Sequence, residues 1–314
     1  MTKNRAISFL SGSCYTVFMK LPERISGTMP NYEHLGEIFR EFRTNRNISL
    51  KQIADNTVSA SQISRFERGE TDISLTRFLR VLENMHVEMN EFMAAVHGYE
   101  QTEIIQFMSQ LVPLEYKRDK AGFQRLYNEQ KEKYEKKPSV YQYHLNMILA
   151  QSFICKCDDS VLFPAEFMDE VTDYLFTVEE WKIYELILIG NLYLFMDIPL
   201  LHKMGQEIVK NHSKNGANKG LVLITLLNIW ETCLHRDALE TAAYYKDSIL
   251  PMLADETRLY ERNLYHFLLG LYHYKCGEQE AGKEEMDQAI QIYEWLGCRN
   301  LARNYIEDKN KYAT

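Results

Sequence analysis

The stretch "SASQISRFERGE", Ser59 to Glu70, carries its own helix start and stop around only two apolar positions. Ser59 followed three residues later by Gln62 is a capping-box pattern, so a helix starts there, and Gly69 supplies its stop. Only Ile63 and Phe66, three apart, offer that helix something to bury. Ala60, Ser61, Gln62, Ser64, Arg65 and Arg68 are left facing away from the core or along its edge. A polar helix of this kind is either a solvated surface or a surface with a polar partner.

The residues just upstream repeat the logic. In "SLKQIADNT", Ser49 is the N-cap, Gln52 its box partner, and Leu50, Ile53 and Ala54 pack inward. Between the two helices "NTVSA" forms the turn, where Asn56 is expected to take the left-handed conformation. Two short helices joined by a tight turn, the second with a polar outer face, make the helix-turn-helix plan. Hydroxyl, amide and guanidinium groups on that face match a DNA groove, because each can bond base edges or phosphates.

The segment "LGEIFREFRTNRNISLKQIADNTVSASQISRFERGETDISLTRFLRVLENM" resembles the Xre-type helix-turn-helix regulators. The resemblance rests on the Ile53–Ala54 pair, the Ser59 opening, and "SRFERGE" with Glu67 and Gly69 closing the recognition helix. It implies base readout by Ser61, Gln62 and Arg65, with Arg65 the candidate for a bidentate bond to guanine. Arg40, Arg43, Lys51 and Arg68 are expected to hold phosphates, and Glu67 to pair internally with an arginine such as Arg43.

Composition bounds this reading. The chain has 314 residues, 46% of them hydrophobic, a formal charge of −8 and a pI near 5.7, which excludes a uniformly basic nucleic-acid coat. Residues 29–98 carry eight basic and ten acidic side chains, but Arg40, Arg43, Arg46, Lys51, Arg65 and Arg68 all precede Gly69. The basic side is therefore local, and strong binding would need two copies acting together, with a steep salt dependence. Six irregularly spaced cysteines read as thiols of a reducing cytosol rather than a disulfide framework. The cysteine usage makes the expected location cytoplasmic, and no segment reaches the length of apolar sequence a membrane span requires. Residues 1–28, with an apolar middle broken by Ser11, Gly12, Ser13 and Thr16, read as a disordered or non-native extension before Met29.

Helical periodicity dominates from residue 31 onward, without sustained alternation, so the fold class is all-α. Helices are expected at 31–44, 50–56, 60–67, 74–86 and 89–97, making a helix-turn-helix domain over 29–98. A connecting helix or linker follows over 99–118, with a helix at 101–112. Beyond it the helices are expected at 119–136, 139–155, 164–176, 179–195, 198–211, 217–235, 238–253, 257–276, 279–296 and 299–311. Pairs starting near 119, 164, 198, 238 and 279 give a loose period of about 40 residues, read as a right-handed, tetratricopeptide-like solenoid over 119–314. The spacing in "ALETAAYYKDSI" and "EAGKEEMDQAIQIYEWLG" fits such repeats, whereas earlier pairs do not, leaving an irregular helical bundle as the alternative.

With "TRLYERNLYHFLLGLYHYKCGEQEAGKEEMDQAIQIYEWLGCRNLARNY" added to the N-terminal motif, the chain resembles the Rgg/MutR regulators of Gram-positive bacteria from about residue 31 onward. The resemblance implies a homodimer that binds double-stranded DNA and senses a short pheromone peptide in its repeat domain; the mechanism expected from it is a peptide-induced change in the spacing of the two recognition helices or in their contact with RNA polymerase. A curved solenoid suits that role because its concave face is an extended groove. Candidate peptide contacts on groove-facing first helices are Asn146, Asn191 and Asn228, with Tyr143, Tyr193, Trp230, Arg262 and Tyr265 lining the same surface.

Other chemistry is thin. Cys155 and Cys157 lie two apart, and His266, His273 and Cys276 share a helical face, but neither set has structural-zinc spacing, so no metal is expected. There is no Gly-rich phosphate loop, GxSxG or HExxH, and the carboxylate pairs Asp158–Asp159, Glu179–Glu180 and Glu284–Glu285 read as solvated. No cofactor and no enzymatic activity are expected. The rival readings are a helical-repeat interaction module and a peptide-regulated phosphatase-like protein; either leaves the "SRFERGE" helix without a purpose or with only an autoregulatory one.

Overall fold

A computed structural model describes residues 34–96, 103–158, 160–211 and 218–313, all helical or irregular with no strand among them. The expectations for residues 1–28, Gly98, Asp159, residues 213–217 and Cys14 lie outside the described residues. The chain parts into two compact units, one ending at Gln110 and one running on from Leu111.

In the first unit the helices are α1 (Leu35–Asn45), α2 (Leu50–Ile53), α3 (Ala60–Glu67), α4 (Leu75–Asn84) and α5 (Met89–Val96). Its core is small and aromatic. Phe39 meets Phe66 and Phe78 at ring-centroid distances of 5.7 and 5.9 Å, and Phe92 meets Phe78 and Phe42 at 4.9 and 5.8 Å. Ile53, Val58, Ile63 and Val81 fill the space between them, each essentially without exposure.

Helix α1 lies directly against the end of α3, and Gly36 is what permits it. A Cβ at Gly36 would stand 2.0 Å from the Phe66 carbonyl oxygen and 3.2 Å from the Glu67 Cα, atoms that cannot rotate away. Gly36→Ala is therefore expected to lower the stability of this unit by about 3 kcal/mol, the upper end for overpacking. Gly69→Ala is the control: its φ of +69° strains an alanine, but nothing stands within 4 Å of the added Cβ, so the cost is about 1 kcal/mol. Calorimetric melting of the full chain and both variants measures the difference.

Helix α2 is shorter than the expected 50–56. Ala54 turns extended, with ψ at 145°, and Asp55 organises the turn instead. Its Oδ1 accepts from the Thr57 hydroxyl and amide, both at 2.6 Å, and from the Val58 amide at 3.0 Å. Led by the Thr57 hydroxyl, these bonds hold the Asp55 carboxyl down to about 2. Asn56 consequently has no need of the left-handed region and does not enter it; that conformation falls to Asn47, φ 55°, after α1.

Helix α6 (Glu103–Tyr116) continues through Pro113, past the expected end at 112. The second unit then comprises α7 (Lys120–Lys136), α8 (Tyr141–Cys157), α9 (Ala165–Thr177), α10 (Ile183–Leu192), α11 (Ile198–Asn211), α12 (Lys219–His235), α13 (Leu239–Ile249), α14 (Leu259–Lys275), α15 (Gln279–Trp295) and α16 (Arg299–Tyr312). Short 3-10 turns extend α10 and α13, at Tyr193–Phe195 and Leu250–Leu253. Helix α10 starts at Ile183 rather than 179, since Lys182 is extended and the Trp181 indole donates to the Leu175 carbonyl at 2.9 Å.

Successive packing of α8 on α10, α10 on α12 and α12 on α14 makes an inner row of helices, as stacked helical hairpins require. Burial shows it: every residue from Leu221 to Leu234 of α12 is buried, as is every residue from Glu185 to Leu192 of α10. Helices apolar all round are what a central row demands. Counted in the pairs that start near 119, 164 and 198, these inner helices are the second of each pair, not the first.

Candidate functional site

The recognition helix is built as its residue types dictate. Ser59, in extended conformation, caps α3: its Oγ accepts from the Gln62 amide at 3.3 Å, while the Gln62 side-chain Oε1 accepts from the Ser59 amide at 2.9 Å. At the other end the Gly69 amide donates to the Phe66 carbonyl and the Glu70 amide to the Arg65 carbonyl, both at 2.9 Å. Ile63 and Phe66 are buried, Ser61 and Arg65 exposed, and Gln62 and Ser64 half-buried.

These side chains differ in how free they are. Arg65 is exposed and makes no ion pair or hydrogen bond through its guanidinium among the described residues, and the same is true of the Arg40 and Lys51 side chains. Ser61 Oγ lies 3.1 Å from Ser59 Oγ, and the Gln62 amide oxygen is occupied by the cap, so Gln62 offers only its amide N–H groups outward without opening the box. Arg68 is held by Glu70, Nε to Oε1 at 2.6 Å and Nη2 to Oε2 at 2.9 Å, and donates to Ser64 Oγ at 2.5 Å. That pair is about half exposed and therefore weak, so a phosphate can displace it.

Arg43 does not fit the phosphate role expected of it. Its guanidinium forms two parallel bonds to Glu67, Nε to Oε1 at 2.6 Å and Nη2 to Oε2 at 2.8 Å, and Nη1 donates to the Ile48 carbonyl at 2.8 Å. With the Glu67 side chain 5% exposed and Arg43 12%, this is an internal strut joining α1 to the end of α3. The internal pairing expected of Glu67 and the phosphate contact expected of Arg43 exclude each other, and the geometry favours the first.

In the second unit the expected peptide contacts separate in the same way. Asn146 is 3% exposed and satisfied at both ends, donating to Gln130 Oε1 at 3.1 Å and accepting from the Tyr184 hydroxyl at 2.9 Å. Asn191 is fully enclosed and donates to the Ile187 carbonyl one turn back, at 2.7 Å. Trp230, Tyr193 and Tyr265 are buried rather than lining an open surface; Trp230 packs its ring 5.0 Å from that of Tyr265, whose hydroxyl donates to the Lys246 carbonyl at 3.1 Å. Arg262 is exposed but tied to the Leu253 carbonyl at 2.9 Å, and Tyr143 is half-buried beneath the Lys133 ammonium. Asn228 alone of the three asparagines has a side-chain amide with no bonded partner among the described residues.

Of the remaining candidates, His266 pairs with Gln288 at 3.1 Å and His273 with Glu285 at 2.7 Å, while Cys276 is exposed, so these three do not converge. The cysteines among the described residues are all free thiols. No helix among the described residues is long and apolar enough to cross a membrane.

Residues 124–307 match the family model described as the C-terminal domain of the helix-turn-helix-type transcriptional regulator Rgg, and residues 39–92 match a helix-turn-helix model. The chain belongs to the Rgg family of transcriptional regulators. It is similar to the SHP pheromone receptor Rgg2 of Streptococcus dysgalactiae, with 30% identity, 88% of this chain and 99% of that one covered, and a TM-score of 0.75. A transcriptional regulator described as putative, from Listeria monocytogenes EGD-e, shares the fold at 20% identity, with 90% and 98% coverage and the same TM-score of 0.75. The fold is shared as well with ComR of S. thermophilus, solved with DNA and its signalling peptide ComS, at 13% identity, 89% and 100% coverage and a TM-score of 0.57. As an Rgg-family chain, this protein carries its helix-turn-helix in α2 and α3 and its Rgg C-terminal domain in the stacked helices from α7 onward.

Proposed function

We propose that this Rgg-family regulator reads a specific DNA sequence through Arg65, and that a short peptide held by its repeat domain sets whether it does so. The observation that carries the first half is Arg65 itself: an exposed, unpaired guanidinium on a helix capped at both ends over a packed aromatic core. A planar fork that nothing holds back is suited to a guanine edge. Arg40 and Lys51 serve as phosphate contacts, Arg68 joins them when Glu70 is displaced, and Ser61 and Gln62 add hydrogen bonds beside Arg65.

Peptide control is supported by the family and by what the relatives are described as binding. Within this chain Asn228 is the residue best fitted to it: its side chain is 4% exposed, and its amide, unbonded among the described residues, can donate to and accept from a peptide backbone brought against it. Asn146 and Asn191 shape the inner row instead. The functional unit is a homodimer, because one recognition helix with a local basic side gives too few phosphate contacts for tight binding. The peptide acts by binding one dimer arrangement better than another, which changes the spacing of the two recognition helices or their contact with RNA polymerase. The site of action is the cytoplasm.

Selection of a random peptide display library on the full chain tests the peptide half. Asn228→Leu is expected to weaken the selected peptide about tenfold, the cost of one or two hydrogen bonds; unchanged affinity would remove Asn228 from the site.

A further inference from the structure

One cluster of polar groups serves neither DNA nor peptide. Glu231 and His235 lie one turn apart on α12, and Asp308 faces them from α16. One ligand-type atom from each of the three lies within 4.8 Å of the others. Glu231 is 5% exposed and Asp308 1%, yet Glu231 Oε1, His235 Nε2 and both Asp308 carboxylate oxygens have no hydrogen-bond partner among the described residues.

Buried polar atoms are almost always partnered, and two carboxyls of like charge turned toward each other are costly in a low-dielectric interior. The surrounding cations relieve them only in part, since the Lys311 charge acts on Asp308 through space and not through a hydrogen bond. Lys275 is bonded to Asp237, and the Lys311 ammonium sits over the Tyr312 ring, 4.5 Å from its centroid, with no hydrogen bond reaching Asp308. A single shared proton would make one hydrogen bond and satisfy two atoms of the four. One divalent cation would engage Glu231, His235 and Asp308 together.

We propose that Glu231, His235 and Asp308 bind a divalent first-row transition-metal ion that fastens the last helix, α16, to α12 of the inner row. One imidazole nitrogen with two carboxylates suits Zn²⁺ or Mn²⁺; it lacks the thiolates that select Cu⁺ and the six or more oxygens that Ca²⁺ takes. Ligand atoms about 2.1 Å from zinc in a tetrahedral site stand about 3.4 Å apart, so small side-chain rotations complete the geometry from the observed spacing. The His235 ring is already fixed by parallel stacking on Tyr312, 3.8 Å between centroids at 10°. His235 as a residue is half-buried while its Nε2 is enclosed, so the nitrogen that would ligate faces the two carboxyls and not solvent.

The test is titration of full-length, chelator-stripped protein with ZnCl₂ and separately with MnCl₂, by calorimetry and by thermal melting, together with the visible absorption of the Co²⁺-loaded chain. The expected result is saturable uptake of about one ion per chain with a rise in melting temperature, and a Co²⁺ spectrum of nitrogen and oxygen ligation without thiolate charge transfer. Asp308→Asn should weaken uptake by at least about tenfold and abolish the rise. Metal-free Asp308→Asn should melt no lower than metal-free wild type, since it removes an unpartnered buried charge. Should that variant not fold, His235→Gln removes the half-buried ligand and must show the same loss. Absence of saturable uptake, or uptake unchanged in these variants, as binding at the cysteines would give, overturns the site and leaves a protonated carboxyl pair.

Discussion

Arg65→Ala is expected to cost about 1–3 kcal/mol, roughly ten- to a hundredfold, in affinity for the preferred DNA site, and to leave binding to random duplex nearly unchanged. The asymmetry follows from the geometry of the side chain. Its guanidinium is exposed and unpaired, so removing it breaks nothing inside the fold. Lys51→Ala is the contrasting case: a phosphate contact carries no sequence information, so all duplexes should weaken together and the salt slope should fall by about one. Competition anisotropy against specific and random duplexes separates the two outcomes. Equal weakening on every duplex by Arg65→Ala would make Arg65 a phosphate contact instead.

Arg43→Met should destabilise the helix-turn-helix unit by about 3 kcal/mol, because it leaves Glu67 buried without its counter-charge. The double variant Arg43→Met/Glu67→Leu should recover most of that loss, since replacing both partners of a buried pair with apolar groups is often neutral. If Arg43 instead acted on phosphate, the single variant would lower DNA affinity and salt dependence while melting like wild type, and Glu67→Leu would not rescue it. Thermal melting beside DNA titration at a temperature where every variant is folded distinguishes the two roles.

The helices were largely legible in the sequence because their boundaries are written in short-range chemistry. Ser59, Gln62 and Gly69 specify α3 completely, and each of the three does in the fold what its residue type implies. Where the reading failed, a neighbour competed. At the turn after α2, Asp55 outbids Asn56 because one carboxylate oxygen can take three donors at once. At Lys182, an extended residue delays α10 although the surrounding periodicity is helical.

The site residues were less legible, since freedom is a property of tertiary partners. Arg43, Arg65 and Arg68 look alike in the sequence, yet one is an internal strut, one is free and one is loosely held. Asn146, Asn191 and Asn228 share an apolar context, yet only Asn228 keeps an unbonded amide. Glu231 and His235 stand one helical turn apart, a spacing common in any helix and without meaning by itself. Asp308, which gives that pair its meaning, comes from a distant helix and carries no local sign of it.

The central claim, that α3 reads sequence through Arg65, is tested most directly by selecting a random duplex pool on the purified full-length chain. Anisotropy in rising salt then compares the enriched duplex with its scrambled version, for wild type and Arg65→Ala. The account predicts a wild-type preference of at least about a thousandfold, reduced roughly ten- to a hundredfold by Arg65→Ala. A pool that never enriches, or an Arg65→Ala chain that keeps the full preference, would contradict it.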